Sequence, residues 1–148
     1  MLRYNTLFLH VIAAMGVFTA LGMEAAALAQ LRRAADGATA REALAGFRSS
    51  QRIGGASMLV LLLTGLRLAT AYWHWKGAWM GLGFAGLIAI GAVGGLMTGR
   101  RVRRLQKTVG GSESATSLLQ ALPALRTSFA IRAALLAGVV YLMTVKPW

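Results

Sequence analysis

Four long apolar runs alternate along this chain with two segments crowded with arginine and one short aromatic link. A bilayer core takes about 20 apolar residues in helical form. The stretches 6–31, 53–73, 79–97 and 124–144 each reach about that length. The pattern predicts an all-α protein, an integral membrane four-helix bundle in which residues 1–148 form a single transmembrane domain. None of the runs is uniformly apolar. Glu24 falls inside the first, Arg67 inside the second, and Arg126 and Arg132 in the opening turns of the fourth. The first run continues past the length of a signal-peptide core with no small-residue cleavage site before Glu24, so it reads as a retained span.

The cations give the spans a direction. Arg32, Arg33, Arg41, Arg48 and Arg52 lie between the first two runs, and Arg100, Arg101, Arg103, Arg104, Lys107 and Arg126 between the last two. The remaining link holds only Lys76. Segments rich in Lys and Arg stay on the cytoplasmic side, which turns both termini outward. The expected location is the cytoplasmic (inner) membrane of a bacterium. Tyr4, Tyr72, Trp73, Trp75, Trp79, Tyr141 and Trp148 all collect at the outward end, as an interfacial aromatic belt does. In the basic segments, Thr39-Ala-Arg-Glu42 has capping-box spacing and predicts a short amphipathic helix lying on the cytoplasmic leaflet. Gly110-Gly-Ser-Glu-Ser reads as a flexible break, followed by a surface helix through Leu118, Leu119 and Leu122 that Pro123 ends.

Composition narrows the function classes. Hydrophobic residues make up 57% of the chain and charged residues 14%, so lipid is the solvent for much of its surface. A formal charge of +12 would make nucleic acid the first partner to consider for a soluble protein. Here the cations flank apolar runs, where anionic headgroups account for them without nucleic acid. The absence of cysteine excludes thiolate metal sites, iron–sulfur clusters and cysteine nucleophiles. No hydrolase, kinase or dinucleotide motif is present, so no motif names a catalytic residue. Gly91, Gly95 and Gly99 recur at four-residue spacing along one predicted helical face, which calls for close helix packing. Contact inside the bundle is the favoured reading; a homo-oligomer or a membrane-protein partner on that face is the alternative.

Ionisable groups in hydrocarbon are costly unless paired or set in a wet cavity, which makes them the leads to chemistry. His10 and Glu24 share one face of the first helix with Ala14, Val17, Leu21 and Leu28, a stripe expected to face the bundle interior. Arg67 falls near the depth of His10. An anion between them would be stabilised, and a haem b or porphyrin propionate fits, with His10 as axial ligand; the plainer reading has Arg67 snorkelling outward and His10 bonded to a neighbouring helix. His74 in the aromatic link would be the second ligand of a two-histidine site. Glu24 is either a proton-relay group or the partner of Arg132 or of the loop arginines. Met80 and Met143 with histidine would suit Cu(I), although methionine is common in such cores and no metal site is assigned.

Leu7-Phe-Leu-His10, Trp79, the basic exit Gly99-Arg-Arg-Val-Arg-Arg104, Leu122-Pro123 and Val145-Lys146-Pro147 follow one another in an order that resembles the small four-helix membrane proteins of the HemJ-type protoporphyrinogen oxidases and CopD-type proteins. The resemblance implies a haem-ligand role for His10 and, with it, an oxidoreductase. The chain looks like a divergent member. Gly83 stands where the HemJ type has a lysine, and Gly16, Val17 and Phe18 stand where a tryptophan is common. Three expectations follow: a haem- or porphyrin-binding membrane protein, a non-catalytic subunit of a larger membrane complex, or a small transport or metal-handling protein.

Overall fold

A computed structural model describes residues 2–34, 36–73, 77–108 and 114–145. The described residues form helices throughout. Helix α1 spans Leu2–Arg33 and α2 spans Gly37–Leu68, running on through a π-helical turn, Ala69–Trp73. Helix α3 spans Ala78–Ala92 and continues as the π-helix Val93–Gly99 into α4, Arg100–Thr108; α5 spans Ser114–Val145. Four of these continuous rods are long and apolar enough to cross a membrane. Each contains one of the four apolar runs read from the sequence.

Neighbouring rods run antiparallel, and their close contacts give the register. His10 meets Thr64, Gly16 meets Ser57, Ala20 meets Gly54 and Ala27 meets Gly46 along α1 and α2. Gly83 meets Met143, Gly86 meets Val139 and Gly94 meets Arg132 along α3 and α5. The first residue of α1 and the last of α5 therefore share one end, the aromatic end. The arginine-rich segments share the other, the basic end. Helices α2 and α3 touch each other little.

The basic segments are not loops lying on a surface. The N-cap of α2 is Asp36, whose carboxylate accepts the Thr39 amide at 2.7 Å, so the helix starts two residues before the Thr39-to-Glu42 box and runs unbroken into the apolar span. That amide holds the Asp36 carboxyl below the usual carboxylate range. The cap's contribution is thus complete above the ordinary carboxylate pKa and is lost only as pH falls through the lowered one. The predicted amphipathic helix is in fact the first turns of α2. Its apolar face, Ala40, Ala43, Leu44 and Phe47, is sealed against Ala27, Leu28 and Leu31 of α1, Val102 and Leu105 of α4, and Leu125 of α5. Pro123 does not end a helix either; it lies inside α5, which needs only to forgo one amide donor there. The Gly110-Gly-Ser-Glu break lies outside the described residues.

Packing differs between the two ends. Large apolar side chains exposed to the outside begin at Ile53 on α2 and Ile131 on α5, and end at Phe18 on α1 and Met97 on α3. They form a belt on the aromatic side of that level, while the basic end beyond it has a closed core. Within the belt, hydroxyls fold back on their own helices: Thr19, Thr70 and Thr144 donate to the carbonyls of Met15, Leu66 and Val140. This satisfies a polar group where no water would. Of the aromatic residues, Tyr4 and Tyr141 are exposed at the aromatic end and Tyr72 carries the Arg3 guanidinium over its ring, 5.7 Å from the centroid. Trp79 departs from the expected belt. It is buried with Met80 and Ala69, against Phe84 and Met143. Trp75 and Trp148 lie outside the described residues.

The glycine face also needs correcting. A methyl group built on Gly91 or Gly95 would meet nothing within 4 Å, whereas one on Gly86 would lie 2.6 Å from Val139 Cγ2 and one on Gly99 3.0 Å from Gln51 Oε1. Gly99 is buried against Gln51 at the end of the π-helix Val93–Gly99, while Gly91 and Gly95 border open space. Gly86 and its neighbour Gly83 are the close-packing glycines of α3. Gly86→Ala should therefore destabilise the detergent-solubilised protein by about 1–3 kcal/mol through overpacking. Gly95→Ala should be neutral or stabilising by up to about 1 kcal/mol through helix propensity. Denaturation curves of the two variants in one mild detergent compare them; equal losses would contradict this packing.

Candidate functional site

The stripe predicted to face inward does so: Val17, Glu24 and Leu28 are buried, and His10, Ala14 and Leu21 are half-buried. Glu24, 2% exposed, and Arg132, 8% exposed, meet near the basic end, with Arg132 Nη2 donating to Glu24 Oε1. Of the partners weighed for Glu24, the structure selects Arg132. Arg132 Nε also donates to the Ser128 carbonyl at 3.4 Å, and the Ser128 hydroxyl is bonded at 2.6 Å to that of Thr98, both fully buried. One polar chain thus joins α1, α5 and the π-helix after α3.

Beside this pair lies a cavity of about 360 Å³. Gly54, Gly55, Met58 and Leu59 of α2 form one wall, and Gly91, Gly94 and Gly95 the other. Leu59, Gly55, Gly91 and Gly95 are exposed, so the cavity is a cleft opening sideways between α2 and α3. It exists because glycines stand where side chains would otherwise fill it. At its basic end Gln51 Nε2 reaches across and donates to the Gly94 carbonyl at 3.2 Å.

The floor of the cleft is polar. Every buried side-chain nitrogen or oxygen among the described residues has a hydrogen-bond partner. Glu24 Oε2 and Arg132 Nη1 make no bond within the chain among those residues, so both look into the cleft that their residues line. An acceptor and a donor therefore stand side by side at the end of an apolar slot. A group that both donates and accepts hydrogen bonds, such as a hydroxyl or an acid head, fits them better than a hydrocarbon does.

The residues read as a haem site do not converge in the same way. His10 Nδ1 is 2.9 Å from Thr64 Oγ1. The Thr64 hydroxyl proton is directed at the Val60 and Leu61 carbonyls, at 2.7 and 3.2 Å, so its oxygen accepts from Nδ1–H and the lone pair of the ring is on Nε2. Gly65 lies against the imidazole; a methyl there would lie 3.2 Å from His10 Cε1 and 3.6 Å from Phe84 Cζ. The Arg67 side chain is exposed and makes no hydrogen bond or ion pair among the described residues, while its carbonyl accepts from Thr70 Oγ1 at 3.3 Å. His74 lies outside the described residues. Met80 and Met143 are packed in the apolar cluster with Trp79, and no group of three His, Cys, Asp or Glu that would hold a metal occurs among the described residues. Gly83 has its own explanation: the Met143 methyl occupies the space a side chain there would need.

Sequence reasoning missed Gln51 and the cleft-lining role of Gly54 and Gly55. Gln51 was legible as a lone amide among arginines one turn before a glycine pair, but what it bonds depends on α3. Compared with known proteins, the chain matches no family model, no curated protein and no solved structure.

The ion pair yields a test. Removing one partner of a buried pair leaves an uncompensated charge, worth about 3–5 kcal/mol, while replacing both with apolar residues is often near neutral. Glu24→Leu and Arg132→Met should each lower stability by about that amount, and the double variant by less than either. Denaturation of all four proteins in detergent measures the coupling, and additive losses would refute it.

Proposed function

We propose that this is a non-catalytic, lipid-ligand-binding membrane protein that takes an amphiphilic molecule into the α2–α3 cleft, its polar head toward Glu24 and Arg132 and its apolar part toward the middle of the bilayer. The arginine-rich end faces the cytoplasm on this reading, since cation-rich connections are retained there. The observation that carries it is the cleft itself: apolar walls, a sideways opening at the level of the exposed apolar belt, and a floor where Glu24 Oε2 and Arg132 Nη1 remain unsatisfied by the chain. A volume of about 360 Å³ falls in the range of small-molecule sites. It is too narrow for a partner helix, which is about 10–12 Å across, and this disfavours a docking-subunit role for the same face.

The test fills the slot. Gly91 and Gly95 have open space above them, so Gly91→Leu with Gly95→Leu should leave the bundle folded while occupying the cleft. Native mass spectrometry of protein extracted in mild detergent should show a retained lipid-phase molecule on the wild type, reduced at least about tenfold in the double variant, which corresponds to about 1.4 kcal/mol. An unchanged complement of bound molecules, with helicity intact by circular dichroism, would sink the reading.

A second reading, haem held at the aromatic end, has one observation in its favour: Thr64 orients His10 so that Nε2 carries the lone pair a metal would need. Against it stands the exposed Arg67. An absorption spectrum of protein made with ample haem supply separates the two. No stoichiometric Soret band is expected, and a band that His10→Ala abolishes would move the site to that end.

A further inference from the structure

A second cavity, of about 590 Å³, lies at the basic end against the first. Arg48 and Arg52 of α2 and Arg103 and Lys107 of α4 line it, and all four are exposed. Each pair is spaced four residues apart and so stacks like charges on one helical face, an arrangement that costs free energy in an isolated helix. Two such faces are turned toward each other. None of the four cations has an ion-pair partner among the described residues, and the salt bridge between Arg132 and Glu24 is already closed. Four unneutralised cations around one basin are a site for an anion carrying phosphate.

The basin and the cleft adjoin. Gln51 lines both, and its amide, bonded to the Gly94 carbonyl, stands between them. Ile53, two residues farther along α2, is the first exposed large apolar residue on that helix, so the junction sits at the edge of the apolar belt. Charge, hydrogen-bonding groups and hydrocarbon walls therefore follow in the order phosphate, polar linkage and chain.

The geometry points to a phosphate-headed lipid as the molecule bound, its phosphate held by Arg48, Arg52, Arg103 and Lys107, its linkage oxygens beside Arg132 Nη1, and one chain in the α2–α3 cleft. This rests on the cleft reading above and adds the class of ligand. The basin selects the head; the cleft holds the chain.

Native mass spectrometry of the full chain in mixed detergent micelles, offered phosphatidylglycerol or phosphatidylcholine at equal concentration, reads the two parts separately. The wild type should retain phosphatidylglycerol preferentially. Arg52→Gln with Arg103→Gln should reduce that preference about tenfold or more while binding of the zwitterionic lipid persists, because about 1 kcal/mol is lost per cation removed near an anionic head. Preference unchanged in that variant, with lipid still displaced by Gly91→Leu and Gly95→Leu, overturns the phosphate assignment and leaves the cleft standing. No lipid retained by any form overturns both. Inorganic diphosphate provides the remaining arm: raising the melting temperature with it but not with phosphatidylglycerol overturns the lipid assignment in favour of a soluble phosphate compound, whereas stabilisation by phosphatidylglycerol alone supports the lipid.

Discussion

The contact between Glu24 and Arg132 ties the first rod to the last, and the organisation of the bundle turns on it. Two opposite charges at matching depth on α1 and α5 demand each other in a low-dielectric setting, and Ser128 and Thr98 extend the bond to the helix after α3. Such a pair is weak evidence for stability, because desolvation offsets its attraction. What it does supply is register. A slip of one turn along α1 or α5 would leave both charges unpaired.

Around that bond the chain uses two kinds of packing. At the basic end Leu44, Phe47 and Leu125 are almost wholly buried, and the hydrophobic effect drives their closure as it does in a soluble domain. Toward the aromatic end Leu59, Leu63 and Ile88 stay exposed, on helices long and apolar enough to cross a membrane. There, cohesion comes from close approach at Gly16, Gly83 and Gly86 and from the His10 to Thr64 bond. Where glycines face one another without interlocking, between α2 and α3, the cleft opens. Closed core and open slot meet at the level of the ion pair, and this places its spare donor and acceptor at the slot's end.

Much of the site could be read one residue at a time but not as a site. Glu24 and Arg132 stand out as charges in apolar runs, and pairing between them was among the readings the sequence supported. His10 was equally visible, yet its partner is Thr64, and the Arg67 side chain is exposed. Gly91, Gly95 and Gly99 look like one packing stripe in the sequence. What stands opposite decides otherwise: Gly99 meets Gln51, whereas Gly91 and Gly95 meet nothing and line a cavity wall.

By itself the amino-acid order determined that this chain is all helix, that four runs suit a bilayer, and that cations gather between alternate runs. Hydropathy and charge are sums over residues, and sums survive ignorance of the neighbours. Tertiary structure alone decided that the arginine-rich connections are helical extensions with a sealed core, that Gln51 bridges α2 to the Gly94 carbonyl, and that Arg48, Arg52, Arg103 and Lys107 surround one basin. Those facts depend on which faces two distant helices present to each other, a relation set by packing across the bundle rather than by any local preference of the residues involved.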